Sequence, residues 1–268
     1  MDLHLKGKTA LVTGSSSGIG AAIAQALARE GVAVVVHGRH RQRAEAVVAA
    51  IEEAGGTAAL CLGDLSVPDQ AEAAVEAARA AFGAIDILVN NVGGSSDVSH
   101  PDWFGASLDE WADNYGSNTL AAVRLIKAFV PSMRENGWGR VIQISSRNAI
   151  SPHHQFAAYG AAKAALNNLT LSLSKSLEGT GVTANAIMPG LIYTPQLDEW
   201  FATTARQLGS DDPDVGREHI LRHVVKQTVH RTGMPDDIAF VACMLASPRN
   251  DFMTGTIFRV DGGATPTL

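Results

Sequence analysis

Short apolar runs alternate along this chain with longer stretches in which apolar residues recur at helical spacing. The short runs are rich in β-branched residues and predict strands at residues 9–13, 33–37, 57–62, 86–90, 140–145, 183–188 and 256–260. The longer, alanine-rich stretches predict helices at residues 18–30, 40–54, 68–82, 107–136, 157–178 and 235–246. Because strands alternate with helices, we expect a parallel sheet that is covered by helices on both faces.

No repeat or low-complexity linker divides the chain. We therefore expect one domain over residues 1–268, of the α/β class, with a doubly wound sheet of about seven parallel strands. Residues 195–232 interrupt the pattern and are too long for an ordinary connection. We expect this segment to be a substrate lid with helices of its own.

Charge and composition argue against several classes of protein. The 268 residues carry a net charge of −6, from 21 Lys and Arg against 27 Asp and Glu, which argues against nucleic-acid binding. The two cysteines, Cys61 and Cys243, suit neither a disulfide framework nor a zinc motif, so we expect buried reduced thiols. The apolar runs are too short for a signal peptide or a membrane span. These features predict a soluble, cytoplasmic protein.

A glycine-rich segment follows the first strand. Residues 13–20 read Thr-Gly-Ser-Ser-Ser-Gly-Ile-Gly, and a helical pattern follows them. Glycines between the first strand and helix of a βαβ unit let backbone N–H groups approach a pyrophosphate at the helix N-terminus. Glycines also form plain tight turns, but the complete strand–turn–helix–strand order favours phosphate binding. The spacing differs from the GxGxxG of two-domain dehydrogenases, since three residues separate Gly14 from Gly18.

Further motifs follow in order along almost the whole chain. They are Asn90-Asn91-Val92-Gly93, Ile144-Ser145-Ser146, Tyr159 and Lys163 in a YxxxK pattern, Pro189-Gly190 with Thr194, and Val260-Asp261-Gly262-Gly263. Together with the glycine segment they resemble the short-chain dehydrogenase/reductase family in its single-domain branch, and its 3-oxoacyl-[acyl-carrier-protein] reductase-like members. Val92 stands where the family signature NNAG has alanine. The resemblance implies a Rossmann-type fold and a nicotinamide dinucleotide.

Four residues match the family's catalytic set: Asn118, Ser146, Tyr159 and Lys163. Tyr159 and Lys163 are four residues apart on a predicted helix and share one face. The ammonium group is expected to lower the pKa of the phenol from its ordinary value of about 10, so that Tyr159 exchanges a proton with the substrate oxygen. Ser146 would hydrogen-bond the same oxygen. The resemblance implies that Lys163 also binds the nicotinamide ribose and that Asn118 positions a water for proton resupply.

The resemblance also assigns the dinucleotide to loops after the strands. Asp64 and Leu65 are expected at the adenine, Asn91 at the adenine ribose, and residues 189–194 at the nicotinamide. The full expected set is Gly14, Ser16, Ser17, Gly18, Ile19, Gly20, Arg39, Asp64, Leu65, Asn91, Gly93, Tyr159, Lys163, Pro189, Gly190, Ile192 and Thr194.

The end of the second strand indicates which dinucleotide is bound. An acidic residue there would bind the ribose hydroxyls of NAD, but Gly38 occupies that place and Arg39 follows it. Arg39 can reach a 2′-phosphate. Further positive potential is expected from His37, His40, Arg41 and Arg43. We therefore expect NADP(H), with NAD(H) less favoured, although Ser17 stands where NADP enzymes of the family often have a basic residue.

Three regions are expected to surround the substrate: the 93–105 loop with Trp103 and Phe104, the 147–156 stretch, and the lid. In residues 217–231 of the lid, a basic stripe is expected on one helix face, formed by His219, His223, Lys226 and His230. Such a stripe suits an anionic substrate, and a solvated face or a subunit contact explains it equally well. The two upstream histidines also have metal-ligand spacing, but without a third ligand no metal is expected.

The sequence thus predicts an NADP(H)-dependent enzyme that transfers hydride between the nicotinamide and a ketone or secondary alcohol. A 3-oxoacyl-thioester reductase-like activity is the leading candidate, and a dehydrogenase of a sugar, steroid or secondary-metabolite alcohol is the alternative, which the long lid favours slightly. A non-catalytic NADP(H)-sensing regulator is the alternative from another class, and the intact catalytic set argues against it. The family commonly forms dimers or tetramers through its two long helices, so a homo-oligomer, such as a homotetramer, is also expected.

Overall fold

The computed structural model describes residues 2–94 and 102–266, and a parallel sheet forms its centre. Its strands are β1 (Thr9–Val12), β2 (Ala33–Gly38), β3 (Thr57–Leu62), β4 (Ile87–Asn90), β5 (Gly139–Ile144), β6 (Val182–Pro189) and β7 (Ile257–Val260). They lie in the order β3-β2-β1-β4-β5-β6-β7, and neighbouring strands are parallel. The chain therefore builds outward from β1 in one direction and then in the other, and the switch between β1 and β4 is where such sheets bind ligands.

Helices connect the strands and cover both faces of the sheet. They are α1 (Gly18–Arg29), α2 (Arg41–Glu53), α3 (Pro68–Phe82), α4 (Leu108–Tyr115), α5 (Ala121–Glu135), α6 (Ala157–Ser176), α7 (Gln196–Gln207), α8 (Pro213–His219) and α9 (Pro235–Ala246). Successive strand residues enter different cores: Val89 packs in the cluster that includes α1 and α9 residues, and Leu88 in the one that includes α3 and α5 residues. The doubly wound α/β fold is thus confirmed. Within the described residues, no helix is long and apolar enough to span a membrane.

A π-helical segment lies within the long helix predicted over residues 107–136. The helix consists of α4, the π-helical segment at Gly116–Leu120, and α5. Within the segment, Asn118 Nδ2 donates to the carbonyl of Asn114 at 3.0 Å. A side chain that bonds the carbonyl four residues earlier competes with the helical ladder, and the backbone turn widens there. The predicted helix is therefore continuous over this range, but a π-helical turn at Asn118 replaces its regular α-helical hydrogen bonding there.

Residues 195–232 contain helices, as expected, but not the basic stripe. After α8 comes a π-helical segment, Ile220–Val225, and then Lys226, whose φ of +57° lies in the left-handed region. This conformation ends the helix, so Lys226 and His230 do not share a helix face with the two histidines before them. The expected stripe is wrong because the backbone turns before it is complete.

A buried histidine joins the carboxyl ends of three strands. His37, near the end of β2, is 2% exposed. Its Nδ1 accepts a hydrogen bond from the N–H of Gly14, after β1, at 3.0 Å, and its Nε2 lies 3.1 Å from the carbonyl oxygen of Gly63, after β3. Burial lowers the pKa of His37 from about 6.5 to about 4, so the ring is neutral at neutral pH. The expectation that His37 adds positive potential is therefore wrong.

We expect His37 to make the fold sensitive to acid. Between about pH 6.5 and 4 the unfolded chain protonates this histidine while the folded chain keeps it neutral, so the free energy of unfolding falls as the pH is lowered through this window. The loss over the whole window is about 3 kcal/mol. Denaturant unfolding at about pH 7 and pH 4.5 measures it in the wild type and in His37→Asn, which cannot titrate there. Equal losses in the two proteins would contradict a buried neutral histidine.

Candidate active site

A groove of about 740 Å³ opens at the carboxyl ends of β1 to β4, at the switch point of the sheet. Backbone and small side chains form much of its wall. The residues expected at the dinucleotide that line it are Gly14, Ser16, Ser17, Arg39, Asp64, Leu65, Asn91 and Gly93. The structure thus brings together residues that are up to 79 positions apart in the chain, Gly14 and Gly93.

The turn between β1 and α1 has no space for larger residues. Gly14 has a φ of +61°, in the left-handed region that favours glycine. A Cβ on Gly20 would lie 2.5 Å from Asn91 Nδ2. From β2, Gly38 meets the same turn, and a Cβ there would lie 2.8 Å from Ser16 Cβ. Glycine at these positions therefore lets the backbone of the turn pack against its neighbours and line the groove.

The helix that follows presents its first N–H groups at this turn. Gly18, Ile19 and Gly20 form the first residues of α1, and Ser17 precedes them at the N-cap. Within the described residues, the side chain of Ser17 makes no capping hydrogen bond. The orphan N–H groups and the positive end of the helix dipole at such a terminus suit an anionic group.

Asn91 fixes the glycine turn from the other side. Its Nδ2 donates to the carbonyls of Thr13 at 2.9 Å and Gly14 at 3.2 Å, while its N–H donates to Thr13 Oγ1 at 2.8 Å. His37 binds the N–H of Gly14, so both polar backbone groups of this glycine have partners. The turn is therefore held in place by β2 and by the segment after β4.

An exposed arginine and a carboxylate meet across the groove wall. Arg39 Nη1 lies 3.4 Å from Asp64 Oδ2. Hydrogen bonds from Ser66 are the main cause that lowers the pKa of Asp64, and the guanidinium of Arg39 adds to it. The ionised Asp64 thus offsets part of the charge that Arg39 brings to the groove.

The other basic residues after β2 divide into two groups. His40 and Arg43 line the groove. Arg41 instead pairs with Glu45 along α2 at 3.1 Å, as an exposed i,i+4 pair. Arg39 and Arg43 therefore carry the positive charge of this segment into the groove.

The tyrosine and lysine of the YxxxK pattern lie together on α6. Lys163 is 3% exposed, and its Nζ donates to the carbonyl of Ile144, at the end of β5, at 2.9 Å. The same Nζ lies 5.7 Å from the centroid of the Tyr159 ring. Burial lowers the pKa of Lys163 to about 8.

Tyr159 has a raised pKa, contrary to the expectation from its lysine neighbour. Desolvation raises the pKa above its ordinary value, and a hydrogen bond with Ser146 opposes this only in part. Lys163 is hydrogen-bonded to Ile144, and its Nζ stands several ångströms from the phenol ring. The expected lowering of the Tyr159 pKa is therefore wrong for this arrangement of the side chains, because burial of the phenol dominates.

Asn118 connects the catalytic face to the segment after β4. Its Nδ2 donates to the carbonyl of Gly94 at 3.0 Å, and its Oδ1 accepts from the N–H of Gly94 at 3.2 Å. A Cβ on Gly93 would overlap Asn118 Oδ1 and lie 2.9 Å from Lys163 Nζ. Gly93 thus lines the groove on one side and touches two residues of the catalytic set on the other. Gly93 is therefore the point at which the wall of the groove meets Asn118 and Lys163.

The residues expected at the nicotinamide lie beyond the groove. Pro189 ends β6, and Gly190 packs so closely on Asp261 that a Cβ would lie 2.6 Å from its Cα. Ile192 forms an isolated parallel bridge with Gly233, and Thr194 follows shortly before α7. Because β6 is beside β5, which ends next to Ser146, this segment is at the catalytic end of the sheet.

Three supporting residues of the site are not indicated by the motifs of the sequence. Ser66 donates its N–H and hydroxyl to Asp64, and the two-residue spacing of an Asx turn was a usable signal. Gly63, which accepts from His37, and Gly94, which clamps Asn118, have no such signal. Their partners are 26 and 24 positions away in the chain, so the contacts exist only after folding.

The regions expected around the substrate are described in part, since residues 95–101 of the 93–105 loop lie outside the described residues. Trp103 packs against Phe104 and against Trp111 of α4, each at 5.5 Å between ring centroids. Directly after Ser146, Arg147 Nη1 donates to the carbonyl of Val225 at 3.2 Å. Residues 195–232 are thereby attached to the segment that follows Ser146.

Two pairs of histidine rings contact each other in these regions, one pair stacked and the other tilted. His153 and His154 have ring centroids 4.4 Å apart, and His219 and His223 are 4.8 Å apart. No group of three or more His, Cys, Asp or Glu side chains suited to a metal ion occurs in the part of the chain that the structure describes.

Comparison with known proteins agrees with this geometry. The sequence matches the short chain dehydrogenase family over residues 8–205. L-Sorbose reductase from Gluconobacter frateurii, solved with NADPH and L-sorbose, is 32% identical with a TM-score of 0.89 and full coverage of both chains. A 3-oxoacyl (acyl-carrier-protein) reductase from Agrobacterium tumefaciens C58 with bound NADP is 34% identical with a TM-score of 0.86, over 98% of this chain and 96% of that one.

A third solved structure is similar but holds the other dinucleotide. A 7α-hydroxysteroid dehydrogenase complexed with NADH and 7-oxo glycochenodeoxycholic acid is 29% identical with a TM-score of 0.82, over 100% of this chain and 98% of that one. The family match spans most of the chain, and the glycine turn, the groove and the tyrosine–lysine pair lie where the motifs predicted them. The chain belongs to the short-chain dehydrogenase/reductase family and is an oxidoreductase of alcohols and ketones.

Proposed function

We propose that this enzyme reduces a ketone with NADPH, or oxidises the corresponding secondary alcohol with NADP. The observation that carries the proposal is the position of Gly93, which lines the groove and packs closely against Asn118 and Lys163. A ligand that fills the groove and extends past Gly93 would approach Lys163 and, on the same face of α6, Tyr159.

The groove fits a dinucleotide on the evidence of its own residues. Three glycines bring backbone close together at the turn, and the first N–H groups of α1 suit a pyrophosphate. Arg39, Asp64 and Leu65 would hold the adenosine end, and Lys163 with the 189–194 segment the nicotinamide end. A dinucleotide bound in this way supplies or accepts the hydride.

The protein's own residues handle the proton. A phenol with an ordinary or raised pKa is protonated at neutral pH, and this is the form of Tyr159 that would donate a proton to a carbonyl oxygen during reduction. Ser146 shares a hydrogen bond with Tyr159 and stands ready to bind the same oxygen. Lys163, fixed by the Ile144 carbonyl, orients this group of side chains, and Asn118 holds the adjoining loop through Gly94.

The preference for NADP(H) rests on Arg39. Gly38 leaves no carboxylate at the end of β2 to bind ribose hydroxyls, and the exposed guanidinium of Arg39 suits a 2′-phosphate. Two of the similar structures contain NADPH or NADP, which supports this preference, and one contains NADH.

The similar proteins support particular classes of ketone as candidates. The similar 3-oxoacyl (acyl-carrier-protein) reductase with bound NADP supports a 3-oxoacyl-thioester reductase-like activity. A polar keto sugar has stronger structural support, since L-sorbose reductase matches the whole chain, including the lid, with a TM-score of 0.89. We therefore propose a ketone reductase, with a keto sugar as the first substrate class to test.

Replacing the tyrosine tests the chemistry. Tyr159→Phe removes the proton donor and is expected to lower kcat by about 10²- to 10⁴-fold in the reduction of a ketone panel, with dinucleotide affinity within about twofold of wild type. Tyr115→Phe is the matched control, because Tyr115 is an exposed tyrosine on α4. Unchanged turnover in Tyr159→Phe would contradict the mechanism. A wild type that binds the dinucleotide but turns over no carbonyl would favour the non-catalytic sensor.

Replacing the arginine tests the choice of dinucleotide. Arg39→Gln removes the charge for the 2′-phosphate and is expected to raise the KM for NADPH about tenfold or more, while the KM for NADH changes by less than about twofold. Arg41→Gln is the control, because Arg41 pairs with Glu45 and does not line the groove. Steady-state kinetics with both dinucleotides measures the ratio. Equal effects on NADPH and NADH would refute the assignment of Arg39.

A further inference from the structure

His37 lies at the floor of the groove and directs both ring nitrogens to backbone groups. Nδ1 accepts from the N–H of Gly14 in the glycine turn, and Nε2 faces the carbonyl of Gly63 directly before Asp64. Because both nitrogens have backbone partners, the ring does not need the ligand for its own hydrogen bonds. Its effect on the groove must therefore pass through the two segments that it joins.

The two backbone partners of the His37 ring determine its protonation state and tautomer. An N–H donor at Nδ1 requires a lone pair there, and a carbonyl at Nε2 requires a proton there. One tautomer meets both requirements, the neutral imidazole protonated on Nε2. The lowered pKa of His37, caused by burial, agrees with this neutral state.

The backbone of His37 holds the same turn. Its N–H donates to Ser15 Oγ at 2.9 Å, and its carbonyl accepts from the N–H of Ser15 at 2.8 Å. Ser15 Oγ in turn donates to the carbonyl of Val12, at the end of β1, at 2.6 Å. The backbone of residue 37 thus fixes Ser15 whatever its side chain, and the ring adds the bonds to Gly14 and Gly63.

These two added bonds join the opposite walls of the groove. The glycine turn leads into the first N–H groups of α1, where the proposed pyrophosphate binds. Gly63 leads into Asp64 and Leu65, which are expected at the adenine and lie beside Arg39. A shift of either wall would change the distance between the phosphate site and the adenosine site.

We propose that His37 is a positioning residue for dinucleotide binding, whose ring fixes the glycine turn relative to the Gly63–Asp64 segment. The proposal deepens the function proposed above and depends on its dinucleotide site. The bond to Gly14 carries most of the effect, because the glycine turn forms the phosphate end of the groove. A histidine that only filled space would be replaced without loss by an apolar residue of similar size.

Three substitutions separate the two ring bonds. His37→Phe keeps the ring shape and removes both bonds. His37→Asn places an amide oxygen where Nδ1 stands, so it can accept from Gly14 but not reach Gly63. His37→Gln places its amide near the position of Nε2, so it can donate to Gly63 but leaves the Gly14 N–H without an acceptor.

Direct binding of NADPH, measured by titration calorimetry without substrate, tests the proposal. We expect the Kd to rise about tenfold or more in His37→Phe and His37→Gln, and to stay within about threefold of wild type in His37→Asn. In turnover, the KM for the dinucleotide should rise by a larger factor than kcat falls. Met133→Ala is the control for loss of stability, since Met133 is buried in the core under α5, away from the groove, and this variant should leave the Kd unchanged.

The possible outcomes distinguish a failure of the proposed function from a failure of the role of His37 alone. A wild type that binds neither NADPH nor NADH overturns the proposed function, and the role of His37 falls with it. A wild type that binds NADPH, with the Phe variant binding equally well, overturns the role of His37 alone. An Asn variant as weak as the Phe variant also overturns it. If the Phe variant does not fold, the Gln and Asn variants provide the same comparison.

Discussion

Two hydrogen bonds to the backbone N–H and carbonyl of Gly14 hold the glycine turn, and the rest of the site depends on the position of this turn. His37 accepts from its N–H and Asn91 donates to its carbonyl, so the glycine turn is fixed between β2 and the segment after β4. The strand order β2-β1-β4 makes this possible, because it places the ends of both neighbours beside the end of β1. The walls of the groove are therefore backbone segments held by imidazole and amide side chains, and glycine is required where they touch.

The catalytic face depends on a similar close approach. Gly93 leaves space for Asn118 Oδ1 and Lys163 Nζ, and the π-helical segment is what presents Asn118 to Gly94. Burial disfavours the charged forms of both side chains: it lowers the pKa of Lys163 to about 8 and raises the pKa of Tyr159. In the proposed mechanism the protonated Tyr159 donates a proton during reduction, and its phenolate accepts one during oxidation.

Much of the fold could be predicted because buried parallel strands leave a plain signal. Residues 33–36 read Ala-Val-Val-Val and are largely buried in β2, and all seven strands lie at the predicted places. The order of the motifs was enough to find the groove and the tyrosine–lysine pair, since each motif follows directly after a strand or lies on one helix face.

The remaining features depend on contacts between distant segments. The spacing of Tyr159 and Lys163 indicated that they share a helix face. It could not indicate that the ammonium group of Lys163 donates a hydrogen bond to the carbonyl of Ile144. The sequence around His37 reads as basic, and only the folded structure shows that its ring is buried between Gly14 and Gly63 and neutral. The left-handed residue Lys226 likewise ends a helix that periodicity alone would continue.

The most direct test of the account follows the transferred atom. The wild type is supplied with a keto sugar and with NADPH that carries deuterium at its transferable position, and the alcohol product is analysed by mass spectrometry and NMR. The account predicts one deuterium on the new carbinol carbon, none on its hydroxyl oxygen after exchange with water, and almost no product from Tyr159→Phe. Binding of the dinucleotide without deuterium transfer to any carbonyl of a broad panel would contradict it.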